Sequence, residues 1–222
     1  MKKSYKLNRW YHYIFGEKFY KRLDFEWHKY PSRYEIIQET IKRKNYKSYL
    51  EIGCDQDELF SKIIIEKKVG VDPASGGTVR DTSDNFFKKN NEKFDIIFID
   101  GLHEYDQVKK DINNSLFFLN DDGVIFLHDC MPMRFICQAV PRAKGVWNGD
   151  VWKNIVEVRT KPEIDTYVVH ADNGIGMILK RTNKNLLNLS LNNFKKLKFR
   201  DYYYNYKQYL NVVYKEDLKN IF

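Results

Sequence analysis

Two periodicities divide this chain. Short apolar runs at Ser48–Ile52, Val69–Asp72, Phe94–Asp100 and Val124–Asp129 are too brief for helices and rich in β-branched and aromatic residues, so they predict buried strands. Helical spacing lies between them. Ile36, Ile37, Thr40 and Ile41 follow Pro31-Ser32-Arg-Tyr-Glu35, a capping-box arrangement that starts a helix running to about Lys44. Further helices are expected over Glu58–Glu66, Asn85–Asn90, Tyr105–Phe118 and Gly149–Val158, and a short strand over Thr78–Arg80. Ile164–His170 and Gly174–Lys180 alternate and are joined by Ala171-Asp-Asn-Gly174, which predicts an antiparallel pair closing an otherwise parallel α/β sheet.

The ends differ from the middle. Residues 1–33 read as an aromatic, basic helical cover packed on the domain by Trp10, Phe15, Phe19, Phe25 and Trp27; residues 34–181 form the main domain, and residues 182–222 a basic, tyrosine-rich helical tail. Nine Lys/Arg against three Asp/Glu in residues 1–33, and eight against three in residues 182–222, place the whole excess of the +8 net charge at the termini. Such ends raise a nucleic-acid or anionic-surface reading, against which stands the simpler one of solvated helices with aromatic packing faces. Apolar runs fall far short of a membrane span, and no apolar stretch follows the basic start, so a cytoplasmic protein is expected. The three cysteines, Cys54, Cys130 and Cys137, form no C-x-x-C pair and agree with a reducing compartment.

Candidate chemistry gathers at the strand ends. The run Tyr49-Leu-Glu-Ile-Gly53 breaks at a glycine, with Glu51 just upstream, and Asp72 ends the next strand 19 residues after Gly53, the separation at which a βαβ unit presents a carboxylate to ribose hydroxyls. Asp100 and Asp129 end the third and fourth strands. In an open α/β sheet all of these lie along one ligand-binding edge. The Pro/Gly-containing stretch Cys130–Trp147 reads as a substrate loop beside that edge.

The order Glu51-Ile-Gly53, Gly70-Val-Asp-Pro73, Phe94-Asp-Ile-Ile-Phe-Ile-Asp-Gly-Leu-His103 and Gly123-Val-Ile-Phe-Leu-His-Asp129, with Gly149-Asp-Val-Trp-Lys153 behind it, resembles the class I S-adenosylmethionine-dependent methyltransferases over roughly residues 34–181. It is most similar to their small-molecule and sugar O-methyltransferase branch. The resemblance implies a Rossmann-like, doubly wound, mostly parallel sheet with an antiparallel C-terminal strand pair. It also implies that Gly53 lies against the methionine part of S-adenosylmethionine, that Glu51 orders the nearby loop, and that Asp72 takes the ribose hydroxyls. Ser83 and Asp84 would hold the adenine, and Asp100 would lie beside the sulfonium and the acceptor. One position departs from the family pattern: Asp57 stands where a second glycine is usual, and Asp tolerates a left-handed backbone better than most residues.

For methyl transfer to a hydroxyl, the candidate bases are His103 and His128, each beside a strand-end carboxylate, Asp100 or Asp129, able to orient the ring. Some relatives hold a divalent metal at these strand ends, which makes Asp100 and Asp129 candidate ligands for Mg²⁺. A small-molecule or saccharide acceptor is expected by resemblance; nucleic acid is not an expected partner, and the aromatic ends would suit a homodimer. Three rivals remain on the sequence. An NAD-type dehydrogenase lacks its G-x-G-x-x-G. A nucleic-acid methyltransferase or binder lacks an Asn/Asp-Pro-Pro-aromatic segment after the fourth strand. A catalytically silent cofactor-binding protein has Asp57 as its sign.

Overall fold

The computed structural model describes residues 3–143 and 145–222. Its centre is one seven-stranded sheet: β1 (Ser48–Ile52), β2 (Lys67–Val71), β3 (Phe94–Ile99), β4 (Leu119–Leu127), β5 (Asp165–Val169), β6 (Ile175–Leu179) and β7 (Val212–Val213), in the order β2-β1-β3-β4-β6-β5-β7. β1 through β4 run parallel, while β6 is antiparallel to both β4 and β5. The expected sheet is therefore present.

Alternation along the strands sends side chains into two cores, since successive residues of a strand face opposite ways. Leu50, Ile52, Ile97, Ile99, Ile125 and Leu127 pack under α4 (Tyr105–Phe118), α5 (Trp152–Val158) and α6 (Phe199–Leu210). Tyr49, Ile96, Phe98, Val124 and Phe126 pack under α2 (Arg33–Lys44) and α7 (Leu218–Ile221). The Ser32 and Glu35 capping box starts α2 as its spacing predicts.

Three local expectations fail. No α-helix follows β1: residues 55–62 form successive turns, because Asp55 (φ 44°) and Asp57 (φ 61°) are left-handed. The carbonyls of Phe60 and Ile63 accept from the Lys68 ammonium (2.7 and 3.0 Å), and the Gln38 amide pairs with both backbone groups of Ile64 (2.8 and 2.9 Å). Isolated turn bonds such as Ser61 N to Asp57 O (3.0 Å) remain, supplemented by these side-chain bonds, while Leu59, Phe60 and Ile63 stay buried. The strand expected at Thr78–Arg80 shrinks to one bridge between Val79 and Val71. And in the N-terminal cover, which comprises α1 (Lys3–His12), a π-helical turn (Tyr13–Glu17) and the strap that follows, only Phe25 and Trp27 of the five aromatic residues expected to pack do so; Trp10, Phe15 and Phe19 face solvent.

The tail is tied in more firmly than a peripheral helix would be. β7 pairs in parallel with β5. Arg159, 2% exposed, donates from its guanidinium to the carbonyls of Gln208, Tyr209 and Asn185, and burial lowers its pKa to about 10. Arg159→Met would leave these carbonyls short of a donor, so unfolding by urea should show a loss of about 2–4 kcal/mol and proteolysis should cut first within residues 185–211. An unchanged midpoint and cleavage pattern would refute this anchoring role.

Candidate active site

Because β1 to β4 are parallel, their carboxyl ends share one edge, and the ladder continues past the last strand residues: Gly53 N donates to Val71 O, Asp100 N to Ile52 O and His128 N to Ile99 O (2.9, 2.8 and 3.0 Å). These bonds fix the strand-end side chains relative to one another. Gly53 (φ 89°) has a use here that its sequence position does not reveal: a Cβ would lie 2.3 Å from the Asp100 carbonyl oxygen. The bare backbone lets the ends of β1 and β3 touch.

Two cavities open along this edge. The inner one, 270 Å³, is lined by Arg33, Glu51, Gly53, Asp100, His103, His128 and Asp129 among others; the outer, 590 Å³, has apolar walls from Ile52, Val71, Pro73 and Leu102 with Asp72, Ser83 and Asp84 among them. They meet at Gly53, Asp55 and Asp100. All nine site residues expected from the sequence therefore line one or both cavities.

Asp72 is more constrained than expected. One carboxylate oxygen accepts from the N–H groups of Ala74 and Ser75 (2.7 and 2.9 Å), and the other accepts from Asp55 N (3.1 Å). Burial works against the charge, but these three donors outweigh it and hold the group below the usual carboxylate range. It thereby joins the turns after β1 and β2. Asp57 does not line either cavity: its carboxylate turns away and accepts from Gly77 N (2.7 Å). Ser83 opens α3 (Ser83–Lys89), behind the Thr82 cap, and the Gln107 amide donates to Ser83 Oγ, Asp84 and Asp111 (3.2, 3.0 and 3.2 Å).

At the inner cavity the carboxylates and imidazoles interlock. His103 Nε2 lies 3.2 Å from Asp100 and its Nδ1 2.9 Å from the Trp147 carbonyl oxygen and 3.2 Å from Asp129. His128 Nδ1 lies 3.1 Å from Asp100, and its Nε2 faces Asp172 (3.4 Å) and the Arg33 guanidinium (3.1 Å). Burial opposes a charge on either ring. The facing acids outweigh it, so both histidines titrate above the ordinary value, His128 well above. Asp100, which touches both rings, falls below its usual range, whereas the more enclosed Asp129 rises. Three carboxylates (Asp100, Asp129, Asp172) thus face Arg33 and two imidazoles whose pKa values they raise.

Several of these groups escape sequence reasoning. Arg33 is the first residue of α2 and its N–H donates to Asp172 (3.0 Å). Asp172 lies in the β5–β6 turn; antiparallel pairing of β6 with β4 puts that turn beside the end of β4, a signal present in the sequence but not used. Asp129 is left-handed (φ 60°) and accepts from the buried Asn148 amide (2.8 Å). Trp147 stacks on His103 (5.0 Å between centroids), and Asp150 accepts from Tyr105 N (2.7 Å) at the start of α4. A Cβ on Gly149 would lie 1.7 Å from the His103 carbonyl oxygen, so this loop fits closely against the histidine backbone.

With the geometry set, the comparisons fit it. Residues 27–130 match a family model described as a methyltransferase domain. A Staphylococcus aureus protein assigned as a caffeoyl-CoA O-methyltransferase is 16% identical, with 81% of this chain and 93% of that one covered at a TM-score of 0.52. A Podospora anserina methyltransferase bound to S-adenosylhomocysteine (18% identity, 82% and 97% covered) and a Bacillus cereus O-methyltransferase (14%, 67% and 79%) give TM-scores of 0.49 and 0.48. No curated protein matches the sequence. The fold is that of the class I methyltransferases. Over residues 27–130, somewhat under half of its length, the chain is thus similar to methyltransferase domains on that fold.

Glu51 supplies a pH signature. Burial, opposed by the Tyr49 hydroxyl that donates to it and reinforced by Asp100, pushes its pKa up to about 8. Between the ordinary carboxylate value and pH 8 the folded protein keeps a proton that the unfolded chain has released, so stability falls as pH rises through this window, by at most about 1.4 kcal/mol per pH unit. Urea unfolding at several pH values should show Glu51→Gln lacking this part of the slope. Parallel pH profiles for variant and parent would rule out the buried protonated acid.

Proposed function

We propose that this protein is an S-adenosylmethionine-dependent methyltransferase that methylates a hydroxyl of a small molecule, with a saccharide as the favoured acceptor class. The observation that carries this reading is the meeting of the two cavities at Gly53 and Asp100, directly against the buried acid–imidazole cluster. The outer cavity fits the adenosine portion of S-adenosylmethionine: apolar walls can sandwich the base, Ser83 and Asp84 reach its edge, and Asp72, with three N–H donors already bound, keeps acceptor capacity for a ribose hydroxyl. Glu51 and Gly53 line the path to the inner cavity, where the methionine portion fits. When bound, the cofactor supplies an electrophilic methyl carbon on a sulfonium.

The chain's part is positioning and proton handling. Asp100 places negative charge where the cavities join, the place suited to a cation. Asp55, Gln56 and Glu58 at the inner cavity offer hydrogen-bonding groups to a hydroxyl-rich acceptor, which supports the saccharide class. The acceptor's proton passes into the cluster of Asp100, His103, His128 and Asp129, whose members titrate together rather than singly. Asp100 and Asp129, joined by His103, also fit a divalent ion, their ligand atoms lying within 4.8 Å of one another. Such an ion would neutralise the carboxylates and compete with protons bound in the cluster. Two oxygens and a nitrogen suit Mn²⁺ or Zn²⁺ at least as well as Mg²⁺.

Calorimetry should find that Asp72→Ala binds S-adenosylmethionine at least roughly tenfold more weakly, with some loss of thermal stability because the turn is also untied; equal affinity would sink the ribose assignment. His128→Asn should leave cofactor affinity nearly intact and lower turnover roughly 10²–10⁴-fold. Titrating Mn²⁺ or Mg²⁺ in buffers of different ionisation enthalpy should reveal on the order of one proton released per ion bound, absent in Asp129→Asn. Binding without proton release would show that the ion does not compete with a proton of the cluster.

A further inference from the structure

Leu7, Trp10, Tyr11, Ile14 and Phe15 follow the i, i+3, i+4, i+7, i+8 spacing of an apolar helix stripe. In a helix that packs on a core, such a stripe points inward. Here it points out: these five residues are between 40% and 72% exposed, and Phe19 beyond them is 71% exposed. The inward face is the opposite one, made of Asn8, His12 and Gly16. His12 is buried with its ring 4.9 Å from that of Phe135, the Asn8 amide donates to the Pro141 carbonyl, and a Cβ on Gly16 would meet the Phe135 ring at 1.9 Å. Glu17 adds two bonds, accepting from Ile136 N and Arg134 Nε (both 2.8 Å). The fold thus holds the helix by its polar, bare face and presents its hydrophobic face.

Charge indicates what covers that face. Lys6 and Arg9 flank the stripe, Lys18, Lys21 and Arg22 follow it, and the one acid among the first 22 residues, Glu17, is already bound to Arg134. Tyr20 packs against Phe199 and Tyr203 of α6 (5.3 and 5.1 Å), which brings the other basic end of the chain, with exposed Lys196, Lys198 and Arg200, alongside. The two basic termini, remote in sequence, are neighbours in space. A second copy laid on this stripe would oppose like charges. A nucleic acid would satisfy the cations but give Leu7 and Ile14 no apolar partner.

We propose that α1 and its π-helical extension dock on an anionic membrane surface. The Leu7–Phe15 stripe enters the boundary between head groups and acyl chains, Trp10, Tyr11 and Tyr13 sit at head-group level, and the lysines and arginines meet the anionic lipids. This is attachment in the plane of the surface; among the described residues no helix is long and apolar enough to cross a membrane.

The test is co-sedimentation of the full chain with phosphatidylcholine vesicles, with and without about one third phosphatidylglycerol, at low and high salt. Expected are binding to the anionic vesicles, weakening by salt, and a blue shift of tryptophan emission that Trp10→Phe removes while binding persists. Leu7→Ser with Phe15→Ser should lower the partition coefficient by about tenfold or more, and Lys6→Glu with Arg9→Glu should abolish the preference for anionic lipid. All four sites are exposed, so thermal midpoints should match the parent and exclude misfolding as the cause. Failure to bind anionic vesicles would overturn the proposal. So would a parent dimer that Leu7→Ser with Phe15→Ser converts to monomer, or binding to single-stranded DNA in the absence of vesicle binding.

Discussion

Charge taken out of water has to be answered by charge, and that requirement governs the carboxyl edge of this sheet. Parallel strands deliver Asp100 and Asp129 to neighbouring positions, with Glu51 below them and Asp172 arriving from the β5–β6 turn. Left alone, four acids in a half-enclosed cleft would repel one another and take up protons. Each is compensated differently: Glu51 by holding a proton beside the Tyr49 hydroxyl, the three aspartates by contacts to Arg33 and to the His103 and His128 rings. Arg33, His103 and His128 each face at least two of these acids, so the cluster behaves as a unit.

The surrounding loops serve that unit. Gly53 lets β1 and β3 close to contact, Gly149 lets the loop before α5 rest on the His103 backbone, and Asn148 holds Asp129 in a left-handed conformation that the chain would otherwise resist. The turns after β1 perform without a helix the work a helix would have done. Asp57 takes the left-handed position that a glycine usually fills and uses its carboxylate to fasten Gly77, while Asp55 N is spent on Asp72. The cofactor edge is consequently held by side-chain bonds between turns rather than by a helix terminus.

Polarity is distributed along the molecule as well as within the cleft. The acids gather at one edge of the sheet; the basic residues gather where the two termini meet around Tyr20, Phe135 and Phe199. Packing against Phe135 explains why the N-terminal helix is turned inside out. Gly16 is the position at which a side chain cannot be accommodated against Phe135, and a bare face at residues 8, 12 and 16 leaves the apolar stripe no direction but outward.

Local rules settled what depends on neighbours in sequence. The strands at 48–52, 94–99, 165–169 and 175–179, the capped start of α2, and the acids at the ends of β2, β3 and β4 follow from period, propensity and spacing, because burial selects residues one or two positions apart. Resemblance to the methyltransferases, together with the proton chemistry of methyl transfer, singled out nine residues, and all of them line the cleft. Tertiary structure decided the rest. Residues 55–62 form turns around the left-handed Asp55 and Asp57, with the Phe60 carbonyl claimed by Lys68; the raised pKa values of His103 and His128 depended on Asp100, Asp129 and Asp172 converging with Arg33 from four separate elements. The direction of the N-terminal stripe turned on Phe135, more than a hundred residues away. A periodic pattern fixes which side chains share a face, but only the shape of the partner surface determines which face is buried.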